Sequence, residues 1–208
     1  MQGSFTISLI EIFAYLFPGC VVLAVLIYRF LPAVEVDNLL QQVWFLVVFL
    51  ALGYILGHIL TTLSVYVLKL RMFIIKKVLK QKSRQERHSF YPKLRESLRD
   101  LFGSSLSPED EYLISLRLVT ENMPNSAQEI NRLYTLTLFS RNLVVAFLIA
   151  SLLFITSNIA YSVISLVLSV LLLVRYIQLE AATGNTVVRS AHMFLCMKQG
   201  DGNKKTSK

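Results

Sequence analysis

The chain has 208 residues, of which 54% are hydrophobic and only 16% charged, and its formal net charge is +8. Soluble domains carry roughly 25% charged residues, so this composition excludes a wholly soluble globular chain and reads as a polytopic membrane protein with a modest soluble part. The two cysteines, Cys20 and Cys196, are far apart, with neither metal-ligand nor redox spacing, so no disulfide framework is implied.

The N-terminal stretch MQGSFTISLIEIF places no Lys or Arg before its apolar run, so no cleaved secretory signal is expected. The first span is predicted over Ile10 to Leu31, uncharged from Ile12 to Tyr28 and closed by Arg29. Phe17-Pro18-Gly19 interrupts it. A proline deprives the preceding turn of one backbone hydrogen bond, so a kink is expected. Such a break is tolerable in a bilayer only where protein or water satisfies the freed carbonyl. It reads either as a packing kink or as a functional hinge or pore feature. Glu11 is expected at the interface, because a carboxylate at mid-bilayer costs several kcal/mol.

A short loop, Pro32 to Gln42, holds Glu35 and Asp37. The second span is predicted over Val43 to Leu68, with Trp44, Phe45 and Tyr66 as interfacial aromatics. Gly53, Gly57, Thr61 and Ser64 form a narrow stripe of small residues, read as a helix-packing face. His58, beside it, reads as a helix-to-helix hydrogen-bonding group.

No Pro or Gly stands between His58 and Arg87, so the second span is expected to continue as a helical rod to Arg87. Lys69, Lys76, Lys77, Lys80, Arg84 and Arg87 fall on one face about 100° wide. These six are the candidate anion-binding residues. Attraction to anionic lipid, or service simply as topology determinants, is the competing reading of the same charges. Tyr91-Pro92 breaks the rod, and Lys93 to Phe102 reads as a short helix ended by Gly103. Ser107 is predicted to cap a further helix, with Pro108 in its first turn and Glu109, Asp110 and Glu111 complementing its dipole.

After the break at Met123-Pro124-Asn125, Ser126 and Glu129 suggest a capping box. The third span is predicted from near Leu133 to Ile155, with Arg141 snorkelling towards the inner interface. Thr156-Ser157-Asn158 reads as a tight turn. The fourth span runs from about Ile159 to Val174, anchored by Arg175-Tyr176. Asn158, Ser162, Ser165 and Ser169 share one of its faces. They read either as a hydrogen-bonding packing seam or as the polar lining of a pore in an oligomer. Gly184-Asn185 is expected to break the helix, Thr186 to Met197 to form a short amphipathic helix, and Gln199 to Lys208 to be a disordered tail.

Charge sets the expected topology. Of 21 Lys and Arg, 14 lie between Lys69 and Arg141, six from Arg175 onwards, and only Arg29 on the other side. The positive-inside bias places both termini and the Lys69 to Arg132 segment in the cytoplasm. The expected fold is therefore an all-α integral membrane protein with four transmembrane helices. Spans one and two occupy residues 1–68, a basic helical cytosolic segment 69–132, spans three and four 133–176, and a cytosolic C-terminal helix and tail 177–208. HExxH, GxSxG, a phosphate-cradling glycine loop and a Cys/His cluster are all missing, and His58, His88 and His192 are isolated in sequence. The chain is not read as an enzyme, and no cofactor or metal is expected.

Several segments resemble small bacterial membrane effectors of nucleotide-signalled antiviral defence, among them the Hailong-type channel effectors. They are Phe17-Pro18-Gly19, Gly53-Tyr54 with Gly57-His58, Ile130-Asn131-Arg132-Leu133 leading to Ser140-Arg141-Asn142, and Arg175-Tyr176. The resemblance covers much of the membrane part and little of the soluble segment. It implies a multi-pass protein of the bacterial inner membrane that pairs with a separately encoded nucleotidyltransferase and damages or depolarises the membrane. The combined expectation is a homo-oligomer, taken as a tetramer, that contacts membrane lipids and forms a pore gated by an anionic nucleotide or oligonucleotide. The alternatives are a non-conducting adaptor that recruits a soluble partner and, third, a membrane enzyme.

Overall fold

The computed structural model describes residues 3–32, 42–79, 91–102 and 107–205. Every regular element among them is helical: α1 (Gly3–Phe30), α2 (Val43–Leu79), α3 (Tyr91–Phe102), α4 (Pro108–Asn122), α5 (Pro124–Phe154) and α6 (Ile159–Lys205). Four of these, α1, α2, α5 and α6, are long and apolar enough to cross a membrane. The chain is thus an all-α protein of multi-pass membrane type.

It divides into two compact units, one of residues 1–78 and 135–179, the other of residues 79–134 and 180–208. The first holds the apolar stretches of all four long helices. Within it α5 is innermost: half of its apolar window is buried (50%), against 22%, 17% and 22% for those of α1, α2 and α6. Val22, Leu60, Val145 and Ala146 form its core, with Val21, Leu26 and Ile149 packed against them. The remaining apolar faces of α2 and α6 are exposed, as expected of helices bathed in hydrocarbon rather than water.

At one end of this unit, α5 turns directly into α6. The Ser157 and Asn158 amides both donate to Phe154 O, at 3.0 and 2.8 Å. Asn158 then caps α6, its Oδ1 accepting from the Tyr161 amide at 3.3 Å. The rings of Tyr28, Phe154 and Tyr161 meet edge to face at 5.6 to 6.4 Å between centroids, tying α1 to the α5–α6 turn.

The second unit is built from α3, α4, the first turns of α5 and the far end of α6. Leu94, Leu98, Val119, Ile130, Val187, Val188, Ala191 and Leu195 form its core. Ser107 caps α4 as expected, its Oγ accepting from the Asp110 amide at 3.2 Å, with Pro108 following. Glu111, 1% exposed, is ion-paired to Arg95 at 2.9 Å.

Three details of the sequence reading change. Ser126 does not cap α5. The helix already starts at Pro124, whose preset φ and missing N–H suit a first helical position, and the Ala127 amide donates to Met123 O. Gly184-Asn185 does not break α6. A glycine costs a helix about 1 kcal/mol, and burial of Val187, Val188, Ala191 and Leu195 just beyond outweighs that. The helix also runs on through Gln199 to Lys205, where a disordered tail was expected. The proposed continuation of the rod from Lys80 to Arg87, the Glu35–Asp37 loop and the helix end at Gly103 lie outside the described residues.

Candidate functional site

The membrane unit is organised around a contact between backbones. Gly19 of α1 faces Gly53 and Gly57 of α2, and Gly57 lies against the main chain of Tyr15. A Cβ on Gly19 would overlap Gly53 O, and one on Gly57 would overlap Tyr15 O. Only glycine allows two helices this close, the familiar role of small residues between membrane helices.

Beside this contact, Pro18 is fully buried inside an unbroken α1. Having no N–H, it leaves Ala14 O, four residues back, without its helical donor. Asn142 of α5 supplies one: its Nδ2 donates to Ala14 O at 3.3 Å and to Thr61 Oγ1 at 2.8 Å. A carbonyl only accepts, so the chemistry dictates which way the amide faces. Thr61 Oγ1 in turn donates a hydrogen bond to Gly57 O at 3.0 Å. Ser64 Oγ donates to Thr61 O at 2.7 Å and lies 3.3 Å from Asn142 Oδ1, so the shorter contact takes most of its single proton. Asn142 and Ser64 are 0% exposed. One amide thus joins α1, α2 and α5 and satisfies the carbonyl that the proline frees.

Of the small-residue stripe, Gly53 and Gly57 meet α1, while Thr61 and Ser64 meet Asn142. The serine stripe on α6 faces α5. Ser162 Oγ donates to Ser151 O at 2.9 Å, Ser169 Oγ donates to Val144 O at 3.0 Å, and Ser165 is buried between them. Of the two readings of this stripe, the geometry carries the packing seam. Asn158, read with them, stands at the helix cap.

Of the six basic residues, Lys69 is exposed, its Nζ 5.7 Å from the Tyr66 ring centroid. Lys76 and Lys77 stand on α2, and Lys80, Arg84 and Arg87 lie outside the described residues. Arg141 keeps its Nε buried with no hydrogen-bond partner among the described residues.

His58 stacks on Tyr15, with centroids 4.1 Å apart and planes 14° apart, and meets Tyr54 edge to face at 4.7 Å. It is exposed on the unit's surface. The role of Asn142 and the Tyr15–His58–Tyr54 stack were not expected from the sequence. A proline with an amide in another span is the signal to look for, but the pairing of spans is not written locally.

In the second unit, a groove of about 580 Å³ is lined by Asn122, Met123, Pro124, Phe194, Met197 and Lys198. Burial, and then the nearby Glu180 carboxylate, push the Tyr112 phenol above its ordinary range. Among the described residues, no three of His, Cys, Asp and Glu converge as metal ligands. Comparison with protein-family models, with curated proteins and with solved structures returned no match.

Proposed function

We propose that this chain is the subunit of a homo-oligomeric pore or membrane-disrupting effector of the bacterial inner membrane, acting in antiviral defence. Its basic rod binds an anionic nucleotide or oligonucleotide on the cytoplasmic side, and a separately encoded nucleotidyltransferase is the natural source of that ligand. The observation that carries this reading is the continuity of α2, a single helix from Val43 to Leu79. At 1.5 Å per residue it is about 55 Å long, against a hydrocarbon core of roughly 30 Å. The basic extension and a membrane span are therefore one element, and a ligand that displaces the extension displaces the span. Control requires only that ligand affinity differ between the open and closed arrangements.

The test is membrane potential after induced expression, read with a depolarisation dye. Wild type is expected to depolarise cells, and a variant with Lys76, Lys77 and Lys80 changed to Glu to respond differently while inserting normally. An unchanged response in that variant refutes control through the rod. A non-conducting adaptor is the second reading, favoured by the separate core and groove of the second unit. It predicts no depolarisation and a soluble partner on pull-down.

A further inference from the structure

We infer that Arg141 holds the phosphate of a membrane phospholipid, at the end of the membrane unit that carries Lys69 and Arg175. Only the multi-pass fold is needed for this, and it holds whether or not the chain forms a pore.

Arg141 borders the stretch of α5 that the other helices enclose: the residues after it, Asn142 to Ala146, are all buried. Arg141 itself is partly buried. Its Nε is buried with no hydrogen-bond partner, and the side chain makes no ion pair with a described residue. The two Nη groups, equally without described partners, are not buried. Packing therefore fixes the inner edge of the guanidinium fork and leaves the outer edge open. A guanidinium keeps its charge and its five donors, and acyl chains answer none of them. Such a group is tolerated within a membrane span where an acceptor meets it.

The chain offers few counter-charges. Within this unit only Glu11, Glu35 and Asp37 are acidic. Glu35 and Asp37 follow α1 in sequence, past Tyr28, whose ring meets Phe154 at the opposite end. Glu11 stands three residues before Ala14.

Register places Arg141 in depth. The α5–α6 turn, where Arg29 Nη2 donates to Thr156 Oγ1 at 3.4 Å, marks one membrane boundary. At 1.5 Å per residue Arg141 stands about 20 Å from Phe154, so about 10 Å short of the far side of a hydrocarbon core of roughly 30 Å. Side chains on a helix lean towards its N-terminus, here towards that far side, and arginine stems reach an interface from such positions. Across the bundle, Ser64 lies against Asn142 and Ser169 against Val144. Lys69 and Arg175 stand about 8 and 9 Å further along α2 and α6 than these contacts, at the level towards which the guanidinium leans. Both are exposed.

Chemistry and depth together name the ligand. A planar fork takes two oxygens of a phosphate. A dissolved anion would have to enter the headgroup layer to reach this edge, whereas the phosphate of a phospholipid already stands there.

The test is native mass spectrometry of the full chain in detergent with two added lipids of equal acyl chains, phosphatidylglycerol and diacylglycerol. Wild type is expected to retain phosphatidylglycerol in preference. Arg141→Met is expected to lose that preference by about tenfold or more, the scale of charge-assisted hydrogen bonds. Arg175→Gln, which removes an exposed charge at the same end, is expected to lose less. Arg141→Lys keeps the charge without the fork and should stand between wild type and Arg141→Met; far-ultraviolet circular dichroism checks that each variant is folded. Equal retention of the two lipids by wild type overturns the proposal whatever the variants do. Equal losses in Arg141→Met and Arg175→Gln overturn it as well, since they would mean diffuse attraction. A preference untouched in Arg141→Met overturns it and turns the guanidinium towards Glu11. Adenosine monophosphate bound in an Arg141-dependent way, without any lipid preference, overturns the lipid assignment in favour of a soluble phosphate.

Discussion

The bond between Asn142 and the carbonyl freed by Pro18 can be isolated as a coupling energy. Asn142→Ala removes two donor contacts, to Thr61 Oγ1 at 2.8 Å and to Ala14 O at 3.3 Å. Interhelical hydrogen bonds in membranes average about 0.6 kcal/mol and reach about 1.7, so the variant should lose about 2 kcal/mol. Pro18→Ala restores an N–H at residue 18, and this donates to Ala14 O within α1. In that background Asn142→Ala should cost less by the worth of one bond, about 0.6 to 1.7 kcal/mol. The volume lost with the buried proline ring is common to both legs of the cycle and cancels. Reversible unfolding in mixed micelles, followed by far-ultraviolet circular dichroism and by the single tryptophan, Trp44, gives all four stabilities. Equal costs of Asn142→Ala in the two backgrounds, within about 0.3 kcal/mol, would refute the claim that Asn142 answers the proline.

Gly57→Ala should destabilise the membrane unit by about 1–3 kcal/mol, because its Cβ meets the Tyr15 carbonyl, which cannot rotate away. Gly53→Ala should cost less, since the atom it meets first is the movable Cys20 Sγ; the reverse order in the same unfolding assay contradicts the packing described. Tyr112 gives a pH prediction. Its folded value is raised above the ordinary 10.0, so its contribution to stability is complete below about pH 10 and is lost as pH rises through the folded value. The melting temperature should therefore fall less steeply above pH 10 in Tyr112→Phe than in wild type, and parallel profiles would contradict this.

What could be read from the chain alone is what depends on neighbours in sequence. The four spans follow from local apolarity, because a hydrocarbon core demands uninterrupted apolar helix whatever packs beside it. The Ser107–Pro108 helix start and the Asn158 turn are likewise local hydrogen-bond chemistry. Gly53 and Gly57 were legible as a close-packing face, since only the missing side chain matters. The miss at Gly184 has a cause that is not local. Gly184 carries a local helix penalty of about 1 kcal/mol, and only burial of Val187, Val188 and Ala191 in a distant core reverses the outcome.

The candidate site was less legible for the same reason. Pro18 announces an orphaned carbonyl, but its donor lies 128 positions away from Ala14. The row of serines on α6 looks suited to water in one dimension, and His58 looks suited to a bond between helices. Tertiary structure reverses both: the Ser162 and Ser169 hydroxyls find backbone acceptors on α5, and His58, stacked on Tyr15 and edge to face with Tyr54, is left facing outward. Sequence determined which segments enter the membrane, because that is a property of each segment and its solvent. Only the packing of helices decided which polar groups are consumed inside the protein and which still need a partner.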